Sequence, residues 1–206
     1  MVEIIEHIYA GIDGYTLSEH ERTMVNEESG EKTATYGEIT PQAVDALIKI
    51  FNLGPDDVFY DLGSGVGKAV IQVGLTAAVK KAVGVELSST RHERALTALK
   101  QLEDLQSSGR IENITFIHGN FLSQDLHDAT HILLCSTCFP DELMEKLSIK
   151  LAELKPGVKI ATLRLLPPHP KFAKISTHML PMSWIELSEV HIYEVIPNPN
   201  EKVDWV

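Results

Sequence analysis

The stretch DLGSGVG, residues 61–67, follows the apolar run VFYDL (58–62) and leads into AVIQV (69–73). A strand that ends in a carboxylate and a glycine-rich turn that opens a helix together let a ligand approach backbone closely. Working outward, Thr40-Pro41 followed by QAVDALIKIFNL reads as a capped helix with proline at its first position. Val44, Leu47, Ile48 and Phe51 share its apolar side, and Gly54-Pro55 stops it. Beyond the glycine turn, residues 67–78 read as helix, 82–87 as strand, 88–106 as a capped helix and 113–120 as strand. Residues 129–137 then read as strand, 140–155 as helix and 158–165 as strand. This alternation predicts an α/β protein with a mostly parallel, doubly wound sheet, right-handed crossovers and a ligand at the carboxyl edge. SWIELSEVHIYEVI (183–196) carries no helical period and reads as a terminal hairpin added antiparallel to that sheet. The first 39 residues match no strand period and read as a helical or loop cap, and PNPNEKVDWV (197–206) as a loose tail.

The 206 residues are 44% hydrophobic, which suits a single domain, with residues 1–52 as cap and 53–206 as Rossmann-like core. No apolar run reaches the roughly twenty residues of a membrane span, and the start, MVEIIEHIYAGIDGY, lacks a basic segment, so an intracellular protein is expected. Cys135 and Cys138 lack two further ligands at zinc spacing, so no metal site is predicted. A disulfide scaffold is excluded, and a CxxC redox pair is the lesser reading. The net charge of −11, from 18 basic and 29 acidic residues, repels phosphate backbones and favours basic partners, although acidity also serves solubility.

A dinucleotide loop would read GxGxxG, with its third glycine against the helix. Here the glycines fall at Gly63, Gly65 and Gly67, and Lys68 occupies the place of that third glycine. Asp61 sets a negative charge where a diphosphate would have to be neutralised. A ligand with an ammonium and no phosphate suits it better, and S-adenosylmethionine is such a ligand. Glu86, at the end of the next strand, is placed to accept both ribose hydroxyls. Asn120 and Phe121, after the third strand, are placed to reach the adenine.

TYGEITPQAVDALIKI (35–50), DDVFYDLGSGVGKAVIQV (56–73), AVGVE (82–86) and GNFLS (119–123) together resemble the Dot-type (disruptor of telomeric silencing) protein lysine methyltransferases. These are non-SET enzymes acting on a lysine of the nucleosome core, built on the class I methyltransferase fold. The likeness runs over residues 35–196, and Tyr36-Gly37-Glu38 ahead of a helix is its most specific part. It implies that Tyr36, Gly37, Glu38 and Ile39 cover the methionine end of the cofactor and that residues 59–68, Lys68 included, cradle it. Glu86 would hold the ribose, and Asn120 and Phe121 the adenine. The product would be S-adenosylhomocysteine.

Where the family carries Asn-Asn-Phe-Ala-Phe, this chain has Cys135-Ser136-Thr137-Cys138-Phe139, so Ser136 stands in place of the lysine-channel asparagine. The channel tyrosine falls on His191, with Tyr193 on the same strand face. The resemblance thus implies a channel lined by Trp184, Phe139 and Tyr193, an amine contact from Ser136, and His191 as a proton acceptor. Such a channel favours the neutral amine by desolvation and holds it in line for transfer. The implied partner is a basic protein, a histone or another lysine-bearing chain, with no strong DNA binding and no membrane. Two rival readings stay open. Residues 136–139 loosely resemble the [Asp/Asn/Ser]-Pro-Pro-aromatic motif of nucleobase and glutamine N-methyltransferases, without its prolines, and the altered motif would also suit a non-catalytic cofactor-binding module.

Overall fold

The computed structural model describes residues 2–105 and 111–198. Burial on both faces decides which apolar run takes the middle of the sheet. VFYDL is buried at all five positions and forms the central strand β1 (Val58–Leu62). It pairs in parallel with β2 (Lys81–Glu86) and β4 (His131–Leu134). β3 (Ile114–His118) joins β2, and β5 (Lys159–Thr162) joins β4, both in parallel. β7 (Ile185–Val195) runs antiparallel to β5 and carries β6 (Phe172–Met182) on its outer side. The seven-stranded order is therefore β3-β2-β1-β4-β5-β7-β6, the doubly wound sheet that the alternating pattern predicts.

Helices cover both faces. One apolar cluster packs α1 (Val2–Ile8), α3 (Pro41–Phe51), α4 (Lys68–Thr76) and α5 (Ser89–Leu105) against Phe59, Ala82, Ile114 and Leu133 of the sheet. The other packs α6 (Asp141–Leu151) against Tyr60, Leu62, Val85, Ile132 and Ile160. α3 starts where Thr40 Oγ1 accepts the Ala43 N–H at 3.3 Å, with proline next in line. The segment ahead of it holds α1 and α2 (Glu19–Ser29), as the absence of a strand period predicts.

Three expectations require correction. The hairpin is not contained in residues 183–196: these residues make the turn and β7, while the other arm is β6. β6 escapes a period-two reading because register shifts fall at Lys174/Ser176 and Leu180/Met182 and because Pro181 imitates a chain breaker. β4 and β5 also end at Leu134 and Thr162, short of the expected 137 and 165. Beyond them the Ser136 hydroxyl accepts the Arg164 N–H at 3.0 Å, so the chains leave the ladder to bond through a side chain. Gln106 of the expected third helix and most of the expected tail lie outside the described residues.

Candidate active site

Parallel strands deliver their last residues to one edge. Asp61 and Glu86 therefore emerge side by side, Asp61 pairing with Gly84 two residues before Glu86. The turn after Asp61 needs left-handed backbone at Gly63, Gly65 and Gly67, with φ of 87°, 56° and 83°. That turn aims the Gly65 N–H at Glu86 Oε2 (2.7 Å), and Glu86 Oε1 accepts the Ser88 N–H at 2.8 Å. Asp61 Oδ1 is buried and has no hydrogen-bond partner among the described residues. Burial, reinforced by the Glu86 charge, pushes the Asp61 carboxyl up to about 7. Burial raises Glu86 as well, against the donors from Ser88 and Gly65 and the Arg91 charge.

Both carboxyls open into a cavity of about 290 Å³. Its floor is Gly63, Gly65 and Lys68, and one wall is Tyr36, Gly37, Glu38 and Ile39. Phe121, Phe139 and Trp184 supply aromatic surface, the two phenylalanines stacked at 5.7 Å between centroids. Tyr36 lies against the glycine turn, so that a Cβ at Gly65 would run into its ring. Its hydroxyl donates to Glu38 Oε1 at 2.8 Å, and Lys68 Nζ donates to Glu38 Oε2 at 2.7 Å. Lys68 thus points at the covering loop and neutralises it rather than projecting a free cation into the cavity. Burial and the Glu38 charge raise the Tyr36 phenol, which stays a neutral donor.

The hairpin tip closes over this loop. Ser183 N–H donates to Glu38 O at 2.8 Å, Glu38 N–H donates to Ser183 Oγ at 2.9 Å, and Thr40 Oγ1 donates to Pro181 O at 3.0 Å. Trp184 consequently rests on Gly37, where any side chain would collide with the indole.

Five expected site residues do not line the cavity. Gly67 packs the start of α4 against Phe116 and Ala95, so it does the work of a third glycine one position early. Asn120 caps a short 3-10 turn, accepting Leu122 N–H at 2.9 Å and donating to Glu28 at 3.0 Å. Ser136 is fully buried, bonded to Thr162 Oγ1 at 2.9 Å and to the Arg164 N–H, which makes it a brace between strand ends. Its neighbour Thr137 lines the cavity instead. His191 sits in the sheet opposite Thr162, its Nδ1 3.2 Å from Thr177 Oγ1, and burial and the Lys174 charge lower its pKa. Tyr193 is buried in the α6-side cluster. Along β7, His191 stands level with Thr162 at the end of β5 and Tyr193 two residues deeper, level with Ile160.

Other residues complete the site without a signal in the sequence pattern. Val25, Ser29 and Thr33 bring α2 and the loop after it over one side of the cavity. Arg91 is buried, donates to Gly14 O at 2.9 Å and Ala34 O at 2.7 Å, and lies 4.7 Å from the Tyr36 ring centroid. A buried arginine in an amphipathic helix reads from sequence as a solvated one. Cys135 and Cys138 also line the cavity, and both are free. Burial first, then the charges of Asp61 and Cys138, push the Cys135 thiol up to about 12, which makes it a poor nucleophile. Among the described residues no cluster could hold a metal ion, and no helix is long and apolar enough to cross a membrane.

A buried carboxylate pair at the carboxyl edge, a glycine turn beneath it and one reversed strand near the sheet's far side are the features of the class I methyltransferase fold. A solved RNA methyltransferase from Salinibacter ruber, in complex with S-adenosyl-L-homocysteine, shares that fold with a TM-score of 0.58 and 23% identity, over 79% of this chain and 95% of that one. Within the fold, the chain belongs to the family described as "Histone methylation protein DOT1", whose model matches residues 18–205. A Caenorhabditis elegans histone-lysine N-methyltransferase, H3 lysine-79 specific, is 32% identical over 158 residues, 73% of this chain and 16% of that protein. A protein-lysine N-methyltransferase from Saccharolobus islandicus is 31% identical over 124 residues, 60% of this chain and 72% of that protein. The chain thus spans a small part of the eukaryotic relative and most of the archaeal one.

Proposed function

We propose that this chain is an S-adenosylmethionine-dependent N-methyltransferase acting on the side-chain amine of a lysine in a basic protein. The observation that carries the reading is the unpartnered, buried Asp61 Oδ1 beside Glu86, in a cavity whose far wall is aromatic. An orphaned buried acceptor calls for a donor, and the cofactor's ammonium is one. Glu86 keeps lone pairs free for ribose hydroxyls while its backbone donors fix its orientation. Leu87 and Phe121 provide apolar surface for the adenine. When bound, the cofactor supplies an electrophilic methyl group on a sulfonium.

The chain's own residues have to bring a neutral amine to that methyl in line. Phe139, Trp184 and Tyr36 exclude water from the approach, which lowers the pKa of an entering lysine by desolvation. The amine then loses its proton to bulk solvent before transfer, so a dedicated base is unnecessary. Ser136, His191 and Tyr193 are reassigned from direct contact to support: Ser136 fixes the 135–139 turn that carries Thr137 and Phe139, and the two β7 residues anchor the hairpin that carries Trp184. The names of the C. elegans and Saccharolobus relatives support lysine as the acceptor. The test is incubation with methyl-labelled cofactor and core histones or other basic proteins, followed by acid hydrolysis. Methyl-lysine is the expected product. Label in nucleic acid or glutamine would replace this reading, and label nowhere would leave a binding module.

A further inference from the structure

β7 outruns the sheet it joins. Its pairing with β5 ends where Thr162 meets His191, yet the strand begins at Ile185 and stays paired with β6 up to Met182. About six residues, roughly 20 Å of strand, therefore stand beyond the carboxyl edge as a two-stranded arm. An isolated hairpin in water is marginal unless a face is covered. One face is covered: Leu180, Met182 and Val190 are buried in the α3-side cluster, and Ile39 bridges to Met182.

The opposite face is bare. Counting back from His191 by twos gives Glu189 and Leu187, and Met179 joins them because it pairs with Glu189; beyond Ser188 a register shift intervenes, and Ile185 pairs with the buried Met182 at the tip. Met179 and Leu187 are 53% and 48% exposed, and Ile185 at the tip is 50% exposed. Single exposed apolar residues are ordinary, whereas a cluster on one face marks an interaction surface. The cluster runs into the cavity mouth, since Trp184 at the arm's tip both lines the cavity and is 43% exposed. Its charge is one-sided. Residues 175–190 contain no lysine or arginine, while Glu186 and Glu189 are exposed.

We infer that this face of the arm, centred on Met179 and Leu187 with Glu189 beside them, is the docking surface for the protein substrate. The inference rests on the lysine methyltransferase reading above. Its occupant is a basic segment that carries apolar side chains: these seat on the arm, its cations face the glutamates, and its lysine enters past Trp184. An apolar centre with a charged rim is the ordinary anatomy of such a contact, and fixing the segment close to the cavity restricts the amine's freedom before transfer.

The experiment compares the wild-type chain with Met179→Gln/Leu187→Gln, two outward-facing changes that leave the cavity untouched. Calorimetry with S-adenosylhomocysteine checks that the cavity is intact in both proteins. Dye-labelled, DNA-free core histones are the binding probe, read by fluorescence anisotropy, and poly-L-lysine is the basic partner without apolar side chains. The double variant is expected to bind histones about tenfold or more weakly, to bind poly-L-lysine as wild type does, and to keep its cofactor affinity. Equal histone binding by the two proteins, or none by the wild type, overturns the docking surface. So does a wild-type dimer in sedimentation that the variant abolishes, since the face would then be a self-interface. Binding lost as expected in a chain that methylates no protein upholds the surface and overturns the catalytic reading alone.

Discussion

Asp61 is the residue on which the chemistry turns, because it is buried with one oxygen unpaired and its carboxyl is raised to about 7 by burial and by Glu86. A raised carboxyl pKa means that the cofactor-free fold binds a proton the unfolded chain has already lost. The contribution of Asp61 to the fold is therefore complete only below the ordinary aspartate value of 3.8 and is lost as the pH rises from there through about 7. A cationic ligand reverses this preference, since it stabilises the carboxylate. Cofactor binding near pH 6 is accordingly expected to release close to one proton, and affinity to weaken as the pH falls from about 8 to about 5.5. Calorimetry in two buffers of different ionisation enthalpy measures the release; a release of zero would separate Asp61 from the cofactor. Asp61→Ala and Glu86→Ala should each weaken binding sharply in the same assay. Ser136 gives the opposite expectation. Its hydroxyl is buried against Thr162 and the Arg164 N–H, so Ser136→Ala leaves buried groups unpaired at a cost of about 1–3 kcal/mol. Urea denaturation should show that loss, while the cofactor affinity of the folded variant stays near wild type.

At the scale of elements, the helix that roofs the cavity is held mainly by polar side chains. The only buried residue of α2 is Val25, too little apolar contact to dock eleven residues. Glu21 makes up much of the difference, beside Glu28, which accepts from Asn120 Nδ2 at 3.0 Å. Glu21 accepts from Ser88 Oγ at 2.7 Å, from the Thr90 N–H at 2.9 Å and from the Thr90 hydroxyl, which places its charge at the N-terminus of α5. Burial alone would raise this carboxyl, but the donors from Thr90, Ser88 and Ser89 outweigh it and bring it down to about 2. The sign is that of a depressed acid: the latch is complete above the ordinary glutamate range and is lost only as the pH falls toward about 2. Glu21→Ala should speed amide exchange in α2 by hydrogen–deuterium mass spectrometry and weaken cofactor binding several-fold, with exchange in β1 and β2 unchanged. Exchange in α2 as slow as wild type would show that Val25 and the following loop suffice. Such a latch has no period and no motif, which is why it was not legible in the sequence. β1 to β5 were legible because each is a short apolar run bounded by turn residues. Asp61, Glu86 and the covering loop were legible because parallel strands bring their ends to one edge. That Asn120, Ser136 and His191 do not line the cavity was not legible, for a common reason: a residue number fixes a place along the chain, whereas the direction of a side chain depends on its local surroundings. Asn120 caps the turn after it, Ser136 braces two strand ends, and His191 stands in the sheet between Thr162 and Thr177.

At the scale of the molecule, charge sets which partners can approach. The net charge is −11, and the cations nearest the cavity are already committed: Lys68 to Glu38, Arg91 to Gly14 and Ala34, and Arg164 to Phe139 and Asp141. A duplex bound through its phosphates needs several free lysines or arginines along one face, each releasing a counterion. The arm beside the cavity instead carries glutamates and no lysine or arginine between residues 175 and 190. The same field attracts a basic protein, and attraction of that kind acts mainly on the rate of encounter. Two measurements follow from one cause. Bare duplex DNA should not be retarded by micromolar chain at physiological salt, and raising the salt should slow association with histones far more than it changes their dissociation. Tight DNA binding at that salt would mean that the repulsive field is locally reversed, and a salt-independent association rate would mean that charge does not steer the substrate at all.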